Sequence, residues 1–128
     1  MKGKELTACK KEQTDQILVH LMTIGELFPQ FVIELEQLLL NSAHPELSLQ
    51  IRSLPVVARC LCRSKNCAHF YTEKPPVTGY GTGHWILELN PKRGLIVLDL
   101  VEYRIVGIEV LDRSDVKHIL DRVLPVTP

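Results

Sequence analysis

His84-Trp-Ile-Leu-Glu-Leu89, Asn90-Pro-Lys-Arg-Gly94 and Leu95-Ile-Val-Leu-Asp-Leu-Val-Glu-Tyr-Arg-Ile-Val-Gly-Ile-Glu-Val-Leu111 together decide the fold of this chain. The stretch is dense in β-branched residues, bounded by turn residues, and reads as three strands joined by two short turns. Asn90–Gly94 is a hairpin turn with glycine where a positive φ is needed. Val101-Glu-Tyr103 is a tighter connection. Gly107, inside the last strand, predicts a bulge or a close approach of another group to the backbone.

Upstream, Pro55-Val-Val-Ala-Arg-Cys-Leu-Cys62 reads as a strand with proline where a missing donor does least harm. Arg63-Ser-Lys-Asn66 is a turn, and Cys67-Ala-His-Phe-Tyr-Thr72 is the return strand, with Phe70 and Tyr71 on opposite faces. Glu73–Gly83 holds two adjacent prolines and three glycines and forms a long surface loop. Further upstream the texture is helical. Thr23-Ile-Gly-Glu26 has the form of a capping box, and Pro29 suits the first turn of a helix. Phe28, Phe31, Val32, Leu35, Leu38 and Leu39 then recur at three- and four-residue spacing. Pro45 starts a short helix with Leu47, Leu49 and Ile51 inward. Ser114 is expected to cap a last helix with an apolar stripe of Val116, Ile119, Leu120 and Val123, closed by Pro125.

Helices, then strands, then a helix predict an α+β domain: N-terminal helices, an antiparallel meander of about five strands, and a C-terminal helix packed on the sheet. Residues 1–21 are lysine-rich and polar, a loose helix from about Glu12 or an extension; residues 22–128 form the single domain.

The chain has 128 residues, 45% hydrophobic and 23% charged, with Lys+Arg and Asp+Glu at 15 each. Such balance points away from nucleic acid or an anionic membrane as main partner, since both call for a concentrated positive field. Arg52, Arg59, Arg63 and Lys65 lie close in sequence and read as a solvated strand-and-turn edge. No run is long enough to span a bilayer and no signal-like apolar segment follows the basic N-terminus, so a cytoplasmic location is expected. There, cysteines are expected as thiols or metal ligands more than as disulfides.

Cys60-x-Cys62-x4-Cys67-x-His69 is the most distinctive feature. Four soft or borderline ligands within ten residues suit a zinc site, with His84 as substitute for His69. The obstacle is geometric: residues 60 and 62 on one strand face stand about 7 Å apart, so convergence needs a knuckle-like turn. The alternatives are small apolar side chains buried on a strand pair, or a Cys62–Cys67 disulfide across the turn.

A second constellation is Cys67 or Cys62 as nucleophile, His84 as base and Asp99 as orienter. His-Trp opening one strand, with aspartate late in the next, resembles the His and Asp strands of deubiquitinase-like and SUMO-protease-like cysteine hydrolases over about sixteen residues. In those enzymes the nucleophile follows His and Asp, whereas no cysteine follows Cys67 here. Gly79-Tyr-Gly-Thr-Gly-His84 lacks the helix a phosphate loop requires, and is read as a binding loop through Tyr80, with Trp85 beside it.

Arg59-Cys-x-Cys62, Cys67-x-x-Phe-Tyr-Thr72, Leu-Asp99 and Arg-Ile-Val-Gly-Ile-Glu-Val-Leu-Asp112 resemble a group of small uncharacterised bacterial proteins. The last strand also resembles the G-x-I-V-G-I-E-I-L strand of a short domain family of unknown function. The resemblance spans roughly residues 22–124 and implies a bacterial cytosolic origin and the β-meander, with no catalytic residues to transfer. The function expected first is therefore non-enzymatic binding of a protein partner, immunity- or antitoxin-like, with a homodimer open through an uncovered sheet edge. A zinc-stabilised regulatory domain and a cysteine hydrolase are the alternatives; apart from zinc, no cofactor is expected.

Overall fold

The computed structural model describes residues 22–126; the expected helix from Glu12, Cys9 and the division at residue 21 lie outside the described residues. Helix α1 (Ile24–Leu27) opens on the expected capping box. Thr23 Oγ1 accepts from the Glu26 amide, and the Thr23 amide donates to the Glu26 carboxylate. Helix α2 (Pro29–Leu40) starts on its proline and buries Phe31, Val32, Leu35 and Leu39. A 3₁₀ turn (Pro45–Leu47) runs into α3 (Ser48–Ile51), with Leu47 and Ile51 buried. Leu49, expected inward, is 86% exposed, because the tight turn places it opposite those two.

The sheet contains β1 (Ala58–Arg59), β2 (Phe70–Tyr71), β3 (His84–Glu88), β4 (Leu95–Val101) and β5 (Arg104–Leu111), all antiparallel in the order β1-β2-β5-β4-β3. Helix α4 (Ser114–Val123) follows. The α+β class expected from the sequence is the class observed. The meander runs through β3-β4-β5, while the β1–β2 pair joins the far side of β5. Because the turns and the sheet order are different matters, the long loop at 73–83 lets β2 skip past β3 and β4.

Sheet faces follow the period-2 rule. Phe70, Leu98, Ile108 and Val110 bury one face with Phe28, Leu35, Leu39, Val116 and Leu120 from the helices. Phe28 and Phe70 stack at 5.2 Å between ring centroids. The other face carries His69, Tyr71, Gly107, Glu109, Asp99, Ile86 and His84, by the pairings Tyr71↔Gly107, Asp99↔Gly107 and Ile86↔Asp99. A register shift falls between Asp99 and Leu100, next to Gly107.

Several local expectations are corrected. The strands foreseen over 55–62 and 67–72 are ladders only at 58–59 and 70–71; beyond the Cys60 amide's bond to the His69 carbonyl (2.9 Å), the chain leaves the ladder. Ser114 begins α4 rather than capping it, and Arg113 stands at the N-cap without a side-chain cap bond. The Arg113 guanidinium instead bonds Glu34 and Asp115, tying α2 to the start of α4. Of the basic residues expected on a solvated edge, Arg52, Arg63 and Lys65 are exposed, and Arg59 is the exception. Arg59 is 6% exposed and pairs with Asp121 at 2.7 Å, and Arg52 pairs with Glu36. No described helix is long and apolar enough to cross a membrane.

Candidate functional site

Two clusters of ligand-type side chains sit side by side on the sheet face away from the helices. In the first, the Sγ atoms of Cys60, Cys62 and Cys67 all lie within 4.8 Å of one another. The knuckle that a regular hairpin could not supply comes from the segment between them. The Asn66 amide donates to Ser64 Oγ, the Cys67 amide to the Ser64 carbonyl, and the Asp112 amide to the Asn66 carbonyl. Cys67 is meanwhile bridged to Leu111. These bonds fold residues 61–66 back on themselves and return Cys62 to its neighbours.

The three thiols are free, Cys62 exposed and the other two half-buried. They are therefore not buried packing residues, and no disulfide joins them. A backbone hydrogen bond at Ser64, then thiol contacts from Cys60 and Cys67, hold the Cys62 thiol below its ordinary pKa. Burial pushes Cys67 up to about 11. An open surface pocket of about 310 Å³, lined by Cys62, Arg63, Lys117, Asp121, Pro125 and Val126, borders the exposed thiol.

The second cluster centres on Asp99, which is 4% exposed. His84 Nε2 lies 2.8 Å from Asp99 Oδ1, and His69 Nε2 lies 3.9 Å from Oδ2. Ligand atoms of His69, Asp99 and Glu109 fall within 4.8 Å of one another. Burial, then a hydrogen bond to Asp99 and its charge, push the Glu109 carboxyl up to about 7. Burial lowers the His69 pKa, against the opposing charge of Asp99. Tyr80, from the Pro/Gly loop, lies against the His84 ring at 4.8 Å, and burial followed by the charge of Asp99 pushes its hydroxyl up to about 12. The Tyr80 hydroxyl and His69 Nε2 are both sealed from solvent with no hydrogen-bond partner.

Of the residues singled out from sequence, Cys60, Cys62 and Cys67 converge, but His69 does not join them. It turns toward Asp99 and lies against Tyr71, ring centroids 4.7 Å apart and tilted by 43°. His84 and Asp99 meet, but Cys67 does not meet them. Cys67 sits opposite Leu111, which faces Leu95 at one end of β4, while His84 faces Val101 at the other. Six residues of strand separate those levels, about 20 Å. Tyr80 and Trp85 also part: Trp85 turns to the helix side, against His44 and Tyr103, and donates to the Glu102 carbonyl.

Glu109 was missed from sequence. Its signal was present, a charged residue alternating with Ile108 and Val110 in an apolar strand, but its partners come from strands 10 and 40 residues away. No protein-family model matches the chain, and no curated protein or solved structure matches it either.

Proposed function

We propose that this chain is a small metal-binding regulatory domain whose Cys60, Cys62 and Cys67 thiolates hold a thiophilic divalent ion, zinc foremost. The observation that carries the reading is the convergence of the three Sγ atoms within 4.8 Å, close enough that a small inward shift of the side chains would set each sulfur about 2.3 Å from one ion. Thiolate donors select zinc and other soft ions over calcium or magnesium. Three free thiols in contact resist losing their protons together, and a bound cation reverses that by stabilising the thiolates, so binding releases protons.

Closed structural zinc sites use four protein ligands, while sites that work by exchange leave one position open. Among the described residues this cluster offers three, and Cys62 faces solvent. That favours reversible binding, with the fourth position taken by water or an incoming ligand. The protein-partner reading finds support of a lesser kind in β3, which pairs only with β4 among the described residues and could accept another strand along its outer side.

The test is metal content of the full chain purified without chelator, with cobalt substitution as its optical counterpart. At least about one zinc per chain is expected, with a sulfur-to-cobalt charge-transfer band on substitution, and the band lost in Cys62→Ser and Cys67→Ser. Metal-free protein that gives no such band on cobalt titration would overturn the reading.

A further inference from the structure

We propose a second, separate cation site beside the thiols, in which His69 Nε2, Asp99 Oδ2 and a Glu109 carboxylate oxygen bind a first-row divalent ion of borderline character. The reading does not depend on the thiol site, since the two share no ligand.

The sheet register builds this site. Tyr71, Gly107, Asp99 and Ile86 form one row across β2, β5, β4 and β3. The pairing Phe70↔Ile108 sets His69 beside Glu109 one position further along. His69 and Asp99 thus reach toward each other across β5, with Gly107 beneath them. A Cβ at Gly107 would sit at ordinary contact distance from both ligand atoms, 3.5 Å from Asp99 Oδ2 and 3.6 Å from His69 Nε2. With glycine here no side chain narrows the space beside the two ligand atoms. At 3.9 Å apart, both atoms can bond a single ion at about 2.0–2.2 Å.

The groups are also oriented for that role. His84 occupies Oδ1 of Asp99 at 2.8 Å, which leaves Oδ2 turned toward His69 and Glu109. A ligating carboxylate held by a hydrogen bond on its other oxygen is the usual outer support of a metal site. His84 is here a positioning residue. Without an ion, His69 Nε2 has no hydrogen-bond partner although it is sealed from solvent, an arrangement that costs stability unless something binds it. Asp99 and Glu109 likewise bring carboxylate oxygens within 4.8 Å of each other, and among the described residues no Lys or Arg ion pair to either is found, so a cation between them would offset the repulsion of two like charges. One imidazole with two carboxylates suits manganese, iron, cobalt or zinc in preference to copper(I), which prefers sulfur.

The test uses the full wild-type chain loaded with zinc at its thiols and then titrated with cobalt(II). A further saturable equivalent is expected, showing the weak visible bands of nitrogen/oxygen-ligated cobalt and no sulfur charge-transfer band. His69→Ala and Glu109→Gln should each weaken it at least about tenfold while leaving the thiolate band of metal-free protein titrated alone. Asp99 is buried, so Asp99→Asn is read only where its circular dichroism and melting match wild type. Absence of a saturable second equivalent, or one indifferent to both His69→Ala and Glu109→Gln, would overturn the site. Failure of the thiol reading looks different, because it removes the charge-transfer band and leaves the nitrogen/oxygen bands in place.

Discussion

His84 Nε2 lies 2.8 Å from Asp99 Oδ1 across the β3–β4 pair, a hydrogen-bond contact to a carboxylate that is 4% exposed. His84 is the first residue of its strand and Asp99 is central in the next, so the contact runs diagonally from the pair Ile86↔Asp99. A hydrogen bond to a buried carboxylate stabilises more than a neutral one.

His84→Ala is therefore expected to lower unfolding stability by about 1–2 kcal/mol. A double-mutant cycle with Asp99→Asn, read by urea denaturation, should show the two effects to be non-additive. Strict additivity would mean that the contact contributes nothing.

Gly107→Ala separates stability from binding. The added Cβ meets only ordinary contacts, the nearest at 3.4 Å from Tyr71, and φ there is not positive. Stability should change by less than about 1 kcal/mol. The nitrogen/oxygen cobalt equivalent should weaken at least about tenfold, since the methyl group narrows the gap beside His69 and Asp99. An unchanged cobalt titration would mean that the gap has no role.

Thiol reactivity should follow exposure. In metal-free protein, iodoacetamide is expected to label Cys62 before Cys60 and Cys67, the half-buried pair. Peptide mapping after short exposure checks the order, and zinc should slow all three. First labelling at Cys67 would contradict the arrangement described.

Gly94 closes the β3–β4 hairpin at φ +74°, where a Cβ would meet the Leu111 carbonyl oxygen at 2.6 Å and Arg113 Cγ at 2.7 Å. Gly94→Ala should cost about 2 kcal/mol or more, as strain adds to steric clash. Gly81, at φ +73° with nothing nearby, is the control: its alanine variant should cost only about 1 kcal/mol. Equal melting temperatures for the two variants would contradict this.

Arg59 crosses from β1 to α4, where Asp121 accepts at 2.7 Å and the Leu124 carbonyl at 3.1 Å. The hydrogen bond from Arg59, with help from Lys117, holds the Asp121 carboxyl below the usual carboxylate range. A folded-state pKa below the unfolded one means that the stabilisation is complete above the unfolded value. It is lost as pH falls through the folded value. Asp121→Asn should cost about 1 kcal/mol at pH 7, since Asp121 is half exposed and screened. The gap from wild type should begin to narrow below about pH 4 and go on narrowing as the folded-state carboxyl protonates. A gap that stays the same from pH 7 through the acid range would contradict the ion pair as its source.

Much of the fold was legible along the chain. The capping box at Thr23–Glu26, the apolar spacing of α2, the turn glycine at Gly94 and the β-branched run through Leu111 are local signals, each read within a few residues. Gly107 was legible as a close approach but not as to what approaches. Pairing the Cys/His motif as one ligand set was the main misreading, because nearness in sequence is not nearness of side chains. His69 and Cys67 share a strand face, yet their rings and sulfurs lean to different neighbours.

By itself the sequence determined the elements, their buried faces and the presence of ligand-type residues, since the 2.0 and 3.6 periodicities are properties of a single segment. Only the tertiary structure decided that β2 joins β5, that residues 61–66 fold Cys62 back toward Cys60 and Cys67, and that His69 reaches Asp99 over Gly107. Alternation tells a strand which side chains face alike. It says nothing of which strand lies alongside, and a site built across strands exists only once that choice is made.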